Sequence, residues 1–94
     1  MGLFSSDTKT NPFKDAEERM HEKMMSAEGD SVDETFVLKM IAHHQGGIDA
    51  GEILLSEGSD PELRTMVQKS SEHQKKEIEE LQQWLSRNGS PSSS

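Results

Sequence analysis

Ninety-four residues bound this chain to one domain with room for a modest core and no second one. Hydrophobic and charged residues each make up 30% and the formal charge is −8, which excludes a basic face for nucleic acid and draws cations only weakly and unselectively. There is no cysteine, so disulfides and thiolate metal sites are excluded, and no apolar run approaches the roughly 20 residues of a membrane span.

Residues 1–10 and the tail from Gly89 to Ser94 are small and polar and are expected to be disordered around a helical domain over 11–88. Asn11-Pro12 reads as an N-cap with proline at the first helical position. From there Phe13, Ala16, Met20, Met24 and Ala27 keep a helical stripe that stops at Gly29. Ser31-Val32-Asp33-Glu34 is a capping box, so a second helix starts at Val32 and runs to Gly58. Its apolar face includes Phe36, Val37, Met40, Ile41, Gly47, Ile48, Gly51 and Leu54, and it also includes His43 and His44. Asp60-Pro61 opens a third helix whose inner face is marked by Leu63, Met66, Val67, Ser70, Gln74, Ile78, Leu81 and Leu85. No segment alternates with period two, so no strand is expected.

Short loops make the helices antiparallel neighbours. If the second and third helices pair from their shared loop, facing positions sum to about 118, which sets His44 against Gln74 and His43 within a turn of Ser70, His73 and Glu77. The same construction for the first pair gives about 59, placing Met20 opposite Met40 and Ala16 near the two histidines. Gly47 and Gly51, a turn apart on the inner face, admit a close helix neighbour at about 1 kcal/mol each in helix propensity.

Two readings of this polar layer remain open. In one, His43 and His44 are core histidines hydrogen-bonded to Gln74, Ser70 and Glu77, fixing helix register in a metal-free structural or interaction module. In the other they ligate an ion together with Met40, which lies three residues before His43 on the same helix face. Thioether with imidazole is a soft set that suits copper, above all the cuprous ion with silver as its mimic, and disfavours magnesium and calcium. Gln74 and Glu77 would then orient the rings, with Gln45 and Asp49 as further outer partners. Met20, Met24, Met25 and Met66 read first as core filler, with Met25 off the main stripe. A di-iron centre lacks its motifs: Glu-x-x-His occurs once, at Glu18 and His21, and Met40 stands where such a helix carries glutamate. No catalytic constellation is visible, so an enzyme is not expected.

Phe36-x3-Met40-Ile41-x-His43-His44-Gln45-x2-Ile48-Asp49 resembles the hallmark of domain-of-unknown-function family 305, a group of small, mostly exported bacterial proteins. The resemblance continues through Asp60-Pro61-Glu62-Leu63-Arg64 and Gln74-x2-Glu77-Ile78 to Trp84-Leu85, covering about Met20 to Leu85. It implies an all-α, ferritin-like antiparallel bundle of three to four helices, a periplasmic or secreted location rather than a cytoplasmic one, and copper or silver binding through methionine and histidine. The chain departs from the family pattern at Ala42, Ala50 and Leu81, where proline and two methionines are frequent, and it gains His73. Met40, His43 and His44 are left as one site, with Met20, His21, Met24 and Met25 as a second, more exposed set. The uncovered flank of the long helices adds the expectation of a homodimer.

Overall fold

Local capping decides where the helices start. The computed structural model describes residues 11–89, and their regular structure is three helices: α1 (Lys14–Ser26), α2 (Val32–Glu57) and α3 (Pro61–Asn88). Among the described residues there is no strand. The expected disordered ends, 1–10 and the tail beyond Gly89, lie outside the described residues. Ser31 Oγ accepts from the Glu34 N–H at 3.0 Å and Asp60 Oδ2 from the Leu63 N–H at 2.8 Å, so α2 and α3 begin where the sequence marks them. The capping box is otherwise shifted, because Glu34 Oε1 accepts from the Asp30 N–H rather than from Ser31.

α1 is shorter at both ends than the sequence implied. The Asn11 carboxamide accepts from the Phe13 N–H at 3.3 Å, a turn that delays the helix from Pro12 to Lys14. At the other end Ala27 is extended, which lets the Gly29 N–H reach Thr35 Oγ1 at 2.9 Å. Gly29 is needed there, since a Cβ would lie 2.5 Å from Glu34 Cγ, whose side chain is buried beneath the loop. Cationic side chains serve carbonyls that the helix ends leave unpaired. Lys39 Nζ donates to Met24 O, and Arg64 Nη1 donates to Leu55 O and Gly58 O.

The helices lie side by side, with α2 in the middle. α1 packs on α2 and α2 on α3, whereas no Cα of α1 comes within 8 Å of one in α3 among the described residues. The result is a slab with extents of 51 × 32 × 16 Å. Its core is small: Ala16, Val37, Ile48 and Ile78 are the buried apolar side chains. Glycines set the close approaches. Met20 lies on Gly46, Gln74 on Gly47, and Ser71 and Val67 on Gly51. The Gly47/Gly51 notch is therefore filled by α3 of the same chain and is not open to a partner.

The α2–α3 register follows the expectation to within a turn, since His44 meets Glu77 and Gly47 meets Gln74. The α1–α2 register does not. Met20 sits over Gly46 instead of opposite Met40, and Ala16, a turn earlier on α1, is carried past the two histidines. Helical side chains lean toward their own N-terminus, so a methionine on antiparallel α1 reaches toward later residues of α2. Three large apolar residues expected on inner faces are also exposed: Phe36 (60%), Leu63 (42%) and Met66 (59%). A helix in a slab has neighbours on its flanks only, and its upper and lower surfaces stay open.

Candidate functional site

The two surfaces of the slab differ in chemistry. On one, a groove is lined by Lys23 of α1 and Ala27 just after it, Leu38, Ile41, Ala42 and Gln45 of α2, and Ile78 and Gln82 of α3. Arg19 lines a neighbouring depression on this surface with Asp49, Glu52 and Ile53. Successive helical residues are about 100° apart, so a residue two positions from one on this surface points about 200° away. His43 stands two positions from both Ile41 and Gln45, and His21 two positions from both Arg19 and Lys23. Both therefore project from the opposite surface, and His73, five residues before Ile78, turns the same way.

The heights coincide as well. His44 is joined to Glu77, four residues beyond His73, and Met20, next to His21, lies over Gly46. His21, His43 and His73 thus stand on one face within about a turn of one another in height, one from each helix, while His44 points from α2 toward α3. His21, His43 and His73 are exposed, and His44 is mostly covered.

Hydrogen bonds define His44. Its Nδ1 faces Met40 O at 2.9 Å and its Nε2 faces Glu77 Oε1 at 2.5 Å. A carbonyl and a carboxylate both only accept, so each ring nitrogen faces an acceptor. Glu77 Oε2 accepts from His73 Nε2 at 3.1 Å, and one carboxylate thereby joins two imidazoles. The His44 hydrogen bond is the main cause that holds the Glu77 carboxyl below its ordinary value of 4.5, with burial opposing and the His73 and His44 charges assisting. His43 stands edge-on to His44, ring centroids 6.1 Å apart.

The remaining residues singled out by sequence divide clearly. Met40 is half-buried on α2 and tied to His44 through its carbonyl. Gln74 does not reach His44: its Nε2 donates to Ser70 Oγ at 3.1 Å, while its buried Oε1 rests against Gly47 with no hydrogen-bond partner. Gln45 donates to Asp49 at 3.3 Å, and both line depressions of the opposite surface, away from the imidazoles. Met20 and Met24 are half-buried along α1. Met25 is 70% exposed in a hollow with Val32, Phe36 and Lys39 at the α1–α2 corner. The expected compact layer is thus an open row, and His21, assigned from sequence to a separate set, stands level with His43. Among the described residues, no three histidine, aspartate or glutamate side chains are placed to hold an ion. No described helix is long and apolar enough to cross a membrane.

A slab of three antiparallel helices carrying a histidine row defines a small all-α helical protein. The family described as a domain of unknown function, DUF305, matches residues 5–85, and the chain belongs to that family. Comparison with curated proteins finds no match.

Proposed function

We propose that the histidine face binds a soft transition-metal ion, cuprous copper with silver as its mimic, for sequestration or delivery rather than catalysis. The observation that supports this reading is that imidazoles from all three helices stand within about a turn of one another in height, with Met40 one turn before His43 and His44 on α2. The donor chemistry fits such an ion, being imidazole and thioether without thiolate. Met40 and His43 would supply sulfur and nitrogen from adjacent turns of α2. In His44 the Nδ1 bond to Met40 O orients the ring, so Nε2 is the nitrogen offered to an ion once the Glu77 carboxylate turns aside. The same reading takes the slab as a ferritin-like fold in an exported protein.

A second reading is favoured by one observation: both His44 nitrogens are already engaged, by Met40 O and Glu77. Here the histidine row only fixes helix register. Replacing His43 and His44 together by leucine separates the two. A structural role predicts a loss of about 1–3 kcal/mol for each polar partner left unsatisfied, read by thermal melting of the metal-free protein. A ligand role predicts a variant of parental or greater stability that no longer gains melting temperature from silver. A destabilised variant that still gains stability from silver would refute His43 and His44 as ligands.

A further inference from the structure

The geometry points to a metal site completed by a second copy of this chain, the two histidine faces closing on each other with His43 of both copies on one ion. This inference rests on the metal-binding reading above. One copy alone offers a row instead of a cage: His43 is exposed on α2, and His21 and His73 stand on the flanking helices, each to one side. His44 is held by its own backbone and by Glu77. A soft univalent ion accepts two nitrogen donors in line, and a twofold axis doubles one exposed imidazole into such a pair.

Position along the helix supports the second copy as the occupant. α2 runs Val32–Glu57, and its midpoint falls at His44 and Gln45. An axis across the face at mid-α2, perpendicular to the helices, brings His43 against the partner's His43. It also lays the exposed Val32 and Phe36 end of one copy over the end of the other that exposes Leu63 and Met66. The area suffices: a face of 51 × 32 Å has roughly twice the about 800 Å² that each partner of a stable dimer buries. A charge of −8 on each chain opposes association, and a cation at the axis offsets that repulsion. The dimer should therefore depend on metal.

Sedimentation velocity of the full chain in chloride-free buffer, with silver nitrate added from zero to one equivalent, tests this. The expected result is a monomer without silver and a dimer near half an equivalent, with the apparent dissociation constant lowered at least about tenfold. His43→Ala, at an exposed position, should abolish the silver-driven dimer with its helix content unchanged by circular dichroism. Phe36→Glu, which leaves His43 in place, should weaken the silver-driven dimer and silver binding together, the latter read by native mass spectrometry. Silver bound to a chain that stays monomeric would overturn the shared site and leave the metal-binding reading standing. A dimer equally strong without silver, or one that persists in His43→Ala, would overturn it too. Absence of silver binding by native mass spectrometry would overturn both.

Discussion

Gly46 and Gly47 are adjacent and both helical, yet they should respond oppositely to alanine. At Gly46 a new Cβ would stand 2.8 Å from Met20 Cβ, an atom that moves only if α1 moves. At Gly47 the obstruction is the terminal amide of Gln74, which can rotate away. Alanine favours the helix over glycine by about 1 kcal/mol at either position. Overpacking costs about 1–3 kcal/mol where the neighbour cannot yield. Gly46→Ala should therefore lower the melting temperature, and Gly47→Ala should leave it unchanged or raise it. Glu77 carries a different expectation. Its carboxyl lies below the ordinary 4.5 in the folded chain, chiefly through His44, so near that pH the native state holds fewer protons than the unfolded one. The resulting stabilisation is complete above the unfolded value and disappears as pH falls through the depressed native one. Melts of the metal-free protein between pH 6 and about 3 should show that decline, and Glu77→Gln should flatten it.

At the scale of elements, the termini are the most specific part of the design. Asp60 caps α3 from the front, while Arg64, a turn later, donates back to Leu55 O and Gly58 O at the end of α2. One short segment thus starts one helix and finishes another. Asp60→Ala should cost about 1 kcal/mol through the lost cap. Arg64→Ala should cost about 1–3 kcal/mol through lost charged hydrogen bonds, with faster amide exchange confined to the last turn of α2. Arg64→Lys should recover this loss to the extent that its ammonium reaches the same point, because a single nitrogen, Nη1, serves both carbonyls. Equal exchange throughout α2 in Arg64→Ala would show that the arginine does not hold that terminus.

For the whole molecule, the legible and the illegible parts have physical causes. Ser31, Asp60 and Gly58 act on their own turns, so the bounds of α2 and of the start of α3 could be read from them directly. The three residues between α2 and α3 tie those helices closely enough to bring Glu77 to His44. The five between α1 and α2, bent by Gly29 around Glu34, impose no such tie, and Met20 comes to lie over Gly46 instead of opposite Met40. His21 was separated from the other histidines for that reason, since its height depends on how α1 lies on α2. Periodicity marks a face as apolar without saying whether anything covers it. Phe36 and Met66 show the consequence, being apolar in pattern and exposed in the slab.

The slab's side-by-side order also governs how the chain reaches it. Each helix rests only on its neighbour in sequence, so long-range chain closure contributes little to the folding barrier. Collapse should fall in the microsecond-to-millisecond range of helical domains, with α2 and α3 joining as a hairpin on which α1 then settles. Opening runs in reverse. α1 can lift from α2 without disturbing the His44–Glu77 contact, and its amides should exchange with solvent well before those at the centre of α3. The histidine row is thereby divided kinetically, with His21 on the part that leaves first and His43, His44 and His73 on the part that remains.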